Sequence, residues 1–175
     1  MKEIGVAIMG AGAVSREHAK AYLKNPHTRI IGVCSRREES AKRLVEELGL
    51  ECALYPNYEA LLSDDRVDAV SICMPNYLHA RLATQAARAR KHIVLEKPAG
   101  IQLDEVRGLR ESVREAGVLS IVSFVFRWNP MVQTIRTLLD QGAIGEIVYA
   151  ECDFWHGIKP TFPSYEWIRR REFAG

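Results

Sequence analysis

The sequence predicts an α/β fold: a doubly wound parallel sheet, then the incomplete start of an α+β domain with an antiparallel sheet. Three observations predict it. An apolar run, Ile4 to Met9, passes straight into Gly10-Ala11-Gly12 and then into a helical stretch. Short apolar runs then alternate with longer amphipathic stretches as far as Phe124. Beyond Pro130 one helical stretch leads into a run in which polar and apolar residues alternate. Strands buried on both faces of a parallel sheet read as continuous apolar runs, whereas strict alternation belongs to a sheet with one wet face.

The elements follow in order. Ile4, Val6, Ala7, Ile8 and Met9 form the first buried strand, and Val14 to Asn25 the first helix, ended by Pro26. Thr28 to Cys34 is a second buried strand. Arg37 to Leu48 is a helix with Ala41, Leu44, Val45 and Leu48 on one face and Gly49 closing it. Cys52 to Tyr55 is a short strand, and Tyr58 to Leu62 a helical turn before the charged loop Ser63 to Arg66. Ala69 to Cys73, His92 to Glu96 and Leu119 to Phe124 complete the strands. Asn76 to Arg90 and Leu103 to Ala116 are the helices between them. Strand-helix-strand units of this kind are right-handed and build a parallel sheet. The domain boundary falls near Ser123 to Asn129, dividing residues 1–123 from 124–175. In the second part Pro130 to Gln141 is a helix. Glu146 to Trp155 is a strand with Val148, Ala150, Cys152 and Phe154 on one face and Ile147, Tyr149, Glu151 and Asp153 on the other, followed by His156. One helix and one strand cannot bury enough surface to stand alone, so this part is expected to be the beginning of a larger domain.

Composition excludes several classes of function. Lys and Arg number 24 against 22 Asp and Glu, a net charge of +2, too small to suggest a nucleic-acid or membrane-surface partner. No run approaches the ~20 apolar residues of a membrane span. The four cysteines form no Cys-x-x-Cys pair and, with His79 and His92, give no metal-ligand spacing. Free thiols in apolar stretches suit a reducing compartment, so a cytoplasmic location and no metal are expected.

Ligands of open parallel sheets collect beyond the carboxyl ends of the strands. After the first strand, Gly10 permits a sharp turn and Gly12 lets backbone N–H groups approach a pyrophosphate. Ala11, Ala13 and Val14 complete the turn and the helix start, where free donors and the dipole favour phosphate. The third glycine position of such a fingerprint holds Ser15, still small enough to pack helix on strand. An ordinary turn between strand and helix is the alternative. After the second strand stand Ser35, Arg36 and Arg37, where an acidic residue would receive the ribose hydroxyls of NAD. Serine with two arginines suits the 2′-phosphate of NADP, so NADP is favoured over NAD. The same arginines could simply begin a solvated helix. After the fourth strand come Pro75 and Asn76, with His79 a turn later; they reach a nicotinamide ribose or, in the plainer reading, cap and pack the helix. After the fifth come Glu96, Lys97 and Pro98. A lysine facing the cleft can donate to a substrate oxygen, with partial desolvation lowering its pKa; a solvated surface lysine is the alternative. Arg127 follows the sixth.

Taken together, Gly10 to His18 (GAGAVSREH), Cys34 to Ala41 (CSRREESA), Val67 to Ala80, Val94 to Gly100 (VLEKPAG), Phe126 to Pro130 (FRWNP) and Gly142 to Gly157 resemble the Gfo/Idh/MocA oxidoreductases, relatives of glucose–fructose oxidoreductase and inositol dehydrogenase. The resemblance implies a Rossmann domain followed by a domain on a large antiparallel sheet. It implies hydride transfer between NAD or NADP and a sugar, cyclitol or related polyol. It implies that Lys97 touches substrate and cofactor and assists proton transfer, that Pro75, Asn76, His79 and Glu96 line the cofactor, and that Arg127 lies near it. The family associates through the face of the second-domain sheet, so a homo-oligomer is expected when that sheet is complete. The family's active-site aspartate and histidine lie in a glycine-led segment further along, so this chain is expected to carry the cofactor half and to be a weak catalyst or none. A non-catalytic dinucleotide-sensing regulator on the same fold is the alternative, and a methyltransferase is disfavoured because the second strand end lacks a carboxylate.

Overall fold

A computed structural model of the chain describes residues 3–155, 157, 159–161 and 164–174. Two compact units divide it: residues 1–123 with 166–175, and residues 124–165. The first unit is built on six parallel strands, β1 (Ile4–Met9), β2 (Thr28–Cys34), β3 (Ala53–Tyr55), β4 (Ala69–Ile72), β5 (His92–Leu95) and β6 (Ser120–Val122). Their spatial order is β3-β2-β1-β4-β5-β6. The helices between them are α1 (Ala13–Lys24), α2 (Glu38–Leu48), α3 (Tyr58–Leu62), α4 (His79–Arg88) and α5 (Leu103–Ala116).

The two faces of the sheet carry separate cores, as continuous apolar strands require. Ala7, Met9, Val70, Ile72, Ile93 and Leu95 pack with Leu82, Ala83 and Ala86 of α4 and Leu109 of α5. Ile8, Ile30 and Val33 face the other way, onto Ala19 of α1 and Ala41 and Leu44 of α2. Along β1 the side-chain period of two therefore sends Ala7 and Met9 to one layer and Ile8 to the other. The strand order reverses direction between β1 and β4, and the loops that leave these two strands lie at the carboxyl ends, where open parallel sheets bind ligands.

Several boundaries differ from the sequence reading, each for a local reason. The helix expected from Asn76 opens as a 3₁₀ turn, Asn76–Leu78, because the Leu78 N–H bonds the Pro75 carbonyl at 2.9 Å. The helix expected from Arg37 starts at Glu38, with Arg37 extended ahead of it and Glu38 and Glu39 in the first turn, where the dipole favours carboxylates. After α4 the chain turns through Arg90 with φ 57°. An exposed arginine gains nothing there that offsets the left-handed backbone cost. Arg90→Gly is expected to raise unfolding free energy by about 0.5–1 kcal/mol, read by urea titration; a loss of stability would contradict the strain.

The second unit contains α6 (Pro130–Asp140), started by proline and capped by Asn129, whose Oδ1 accepts the Met131 N–H at 2.9 Å. The expected strand Glu146 to Trp155 is not formed. These residues pair with no other strand among the described residues. A strand exists through its ladder, and alternation alone supplies none of those hydrogen bonds. Val148 is 90% exposed and Trp155 91%, while the Phe154 ring meets Phe126 edge-on at 5.7 Å. His156 lies outside the described residues. Two short helices, α7 (Tyr165–Ile168) and α8 (Arg171–Ala174), follow. Among the described residues no helix is long and apolar enough to cross a membrane, and no three His, Cys, Asp or Glu side chains gather to hold a metal ion.

Candidate functional site

The turn after β1 is built around two glycines with different tasks. Gly10 has φ 113°, and a Cβ there would stand 2.3 Å from the Cys73 carbonyl oxygen at the end of β4. Its N–H donates to the Cys34 carbonyl at 2.7 Å, tying the turn to the end of β2 as well. Only a residue without a side chain passes between these two strand ends. At Gly12 a Cβ would meet nothing within 4 Å. The protein has left that space open, at the N-cap of a helix of 12 residues. The Gly12 N–H donates to Ser15 Oγ at 3.1 Å, and Ser15 is fully buried. Ser15 thus does more than stay small: it occupies one donor at the helix start, and the other first-turn N–H groups have no partner within the helix, the kind of end that attracts anions. Ala11 is half-buried; Ala13 and Val14 are exposed.

At the end of β2, Ser35 is half-buried and Arg36 and Arg37 are exposed. Among the described residues neither guanidinium has an ion-pair or hydrogen-bond partner, although Glu38 and Glu39 follow directly. The two cations therefore stand before the helix, at the carboxyl end of β2, instead of inside its first turn.

At the ends of β4 and β5 the expected residues separate into two groups. Asn76 is half-buried and its side-chain N–H donates to the Ala174 carbonyl at 3.0 Å, while the neighbouring Tyr77 ring lies 5.0 Å from Phe173. His79 is held by backbone on both sides. It is 1% exposed, with Nδ1 2.6 Å from the Pro98 carbonyl and Nε2 2.6 Å from the Met74 carbonyl. Both ring nitrogens are taken by backbone carbonyls, so His79 ties the loop after β5 to the loop after β4. Pro75 precedes the 3₁₀ turn, and the Lys97–Pro98 peptide bond is cis. Lys97 is exposed. Arg127 belongs to the second unit, in a 3₁₀ turn, Val125–Trp128, where its carbonyl accepts from Gln133 Nε2 at 2.8 Å.

Sequence reasoning missed His18. It stands on α1 with Ser15, Ala19 and Tyr22, at positions i, i+3, i+4 and i+7, which mark the sheet-facing stripe; a histidine on that stripe was the available signal. Its Nδ1 lies 2.8 Å from Ser71 Oγ and its Nε2 3.1 Å from Glu96 Oε1. Ser71 is fully buried and within 3.9 Å of Cys73 Sγ. Burial works against a charged imidazole, but the neighbouring Cys73 and Glu96 side chains overcome it and raise the His18 pKa to about 10. For Glu96 burial likewise opposes charge, and the His18 hydrogen bond still holds its pKa below the ordinary carboxylate value. Glu96 is thus bonded to His18 on α1 and to the Lys97 N–H beside it.

A parallel sheet in this strand order, with an open glycine turn at its switch point, defines a Rossmann-type dinucleotide-binding domain. The model of one family, described as "Oxidoreductase family, NAD-binding Rossmann fold", matches residues 4–124. The chain belongs to this family, the Gfo/Idh/MocA oxidoreductases, as its motifs suggested. It is 36% identical over 145 residues to a dTDP-3,4-didehydro-2,6-dideoxy-alpha-D-glucose 3-reductase of Actinomadura kijaniata, covering 82% of this chain and 43% of that one. It is 30% identical to the inositol 2-dehydrogenase of Rhizobium meliloti, covering 93% of this chain and 48% of that one. A 3-ketoreductase from Actinomadura kijaniata, solved with NADP and TDP-benzene, superposes with a TM-score of 0.75 at 34% identity, covering 83% of this chain and 44% of that one. The chain thus spans less than half the length of these relatives.

Proposed function

We propose that this chain is the dinucleotide-binding half of an NAD(P)-dependent oxidoreductase acting on a sugar, cyclitol or related polyol. The observation that carries the proposal is the space kept open at Gly12, on the strand edge that also bears Lys97. Gly10, Ala11, Gly12, Ala13 and Val14 would hold the pyrophosphate, and Ser35, Arg36 and Arg37 the adenosine ribose with its 2′-phosphate. Pro75 and Asn76 would meet the nicotinamide half. A bound nicotinamide supplies hydride exchange at its C4. Lys97 would stand beside that position, hold the substrate oxygen and move its proton; its exposure is consistent with a cover contributed by substrate and second domain. Residues 124–175, with Arg127, would begin that second domain, which carries substrate recognition and self-association. A small-molecule substrate and a cytoplasmic setting complete the reading. Relatives that reduce a dTDP-keto sugar or oxidise inositol support the substrate class.

Cofactor choice tests the adenosine end. NADPH is expected to bind more tightly than NADH, because two unpaired guanidinium groups await the extra phosphate. Arg36→Ala with Arg37→Ala is expected to weaken NADPH about 10- to 100-fold while leaving NADH within about twofold, measured by calorimetric titration. Equal affinity of the unaltered chain for both nucleotides would overturn the assignment of Ser35 and the arginines.

A further inference from the structure

We infer that His18 is a positioning residue: from the dinucleotide-binding helix, through Glu96, it sets where the loop bearing Lys97 stands. This rests on the proposed dinucleotide function for its consequence, but its geometry is independent of it. One carboxylate joins the two ends. Glu96 Oε1 is 3.1 Å from His18 Nε2, and Glu96 Oε2 accepts the Lys97 backbone N–H at 3.3 Å. The other side of His18 is anchored at 2.8 Å to Ser71, a fully buried hydroxyl on β4. The far side of the loop is anchored separately, by His79 on the Pro98 carbonyl at 2.6 Å. Lys97 is thus the exposed residue between two buried clamps.

The pair is suited to fixing position. The His18 and Glu96 side chains are only 14% and 13% exposed, so water competes little for either partner. Around His18 stand Tyr22 on its own helix, its ring 6.4 Å away, Ser71 and Cys73 from β4 and its turn, and Glu96 from the end of β5. With both ring nitrogens protonated, Nδ1–H donates to Ser71 and Nε2–H to Glu96, so every hydrogen bond of the bridge has a donor and an acceptor. A side chain that ends one helical turn past the phosphate-binding glycines would then carry any displacement of α1 directly to the lysine loop. His18 needs no contact with nucleotide or substrate for this.

The test separates position from consequence. In the ¹H–¹⁵N spectrum of the full chain without nucleotide, His18→Leu and Glu96→Gln are expected to shift the Lys97 amide and speed its hydrogen exchange. His18→Gln, which keeps a donor for Glu96, should restore most of the original signal. An unchanged Lys97 amide in His18→Leu overturns the inference. NADPH affinity is then measured in a double-mutant cycle. His18→Leu is expected to weaken binding about tenfold when Lys97 is present and hardly at all in Lys97→Met. Equal losses in both backgrounds also overturn it, since a merely structural histidine would act without regard to Lys97. If the Lys97 amide responds as expected but the unaltered chain binds neither NADPH nor NADH, the positioning role stands and the dinucleotide function fails.

Discussion

Gly12→Val leaves the chain folded and lowers dinucleotide affinity at least about 100-fold, roughly 2.7 kcal/mol. Both halves of that result come from the same geometry. Gly12 has φ −85° and ψ −170°, extended backbone that valine adopts freely. A Cβ there meets no protein atom within 4 Å. The cost to the fold is the loss of a good helix N-cap residue, about 1 kcal/mol. The open volume lies over the first N–H groups of α1, and a branched side chain fills it, holding a pyrophosphate away from its donors. Calorimetric titration of NADPH, beside a thermal melt of the same preparations, reads both quantities. A variant that keeps full affinity would show that the phosphates bind elsewhere; a variant that unfolds would show that Gly12 is a structural residue.

Gly10→Ala reverses the pattern. Here φ is 113°, and the added Cβ would stand 2.3 Å from the Cys73 carbonyl oxygen and 2.9 Å from its carbon. Neither obstacle is the movable end of a side chain. The Cys73 N–H is bonded to the Met9 carbonyl at 2.8 Å and the Gly10 N–H to the Cys34 carbonyl at 2.7 Å, so relief requires parting β1 from β4 or from β2. A backbone held in a conformation that alanine disfavours, plus this overlap, costs about 3 kcal/mol or more. The expectation is a large fall in the denaturation midpoint, with dinucleotide binding lost along with the fold. Unchanged stability would mean that the crevice at the β1–β4 switch point is looser than this geometry allows.

The two glycines look alike in sequence, where both simply belong to Gly-x-Gly. The turn was legible from its position between an apolar strand and a helix. Which glycine is hemmed in and which has open space beside it depends on Cys73, more than sixty residues away. The same limit explains His79 and Glu96. Each falls at a strand end or helix start where ligands collect, which is all that position along the chain can say of it. His79 is saturated by two backbone carbonyls, one of them from the loop after β5. Glu96 is engaged by His18, on the helix that follows the glycine turn. The lone alternating run, Glu146 to Trp155, failed as a strand for a related reason: a pattern of faces describes what a strand would bury, not who pairs with it.

Periodicity, glycine placement and the order of apolar runs sufficed for the parallel sheet, its helices, the dinucleotide turn and the family. These are local properties, set by backbone sterics and by which faces must leave water. The roles of single polar side chains were settled by folding, because a hydrogen bond or ion pair is decided by partners that the sheet order brings together from distant parts of the chain. Strand β1 lies between β2 and β4, and that adjacency, invisible in any short segment, made Gly10 structural, left Gly12 open and joined His18 to the lysine loop.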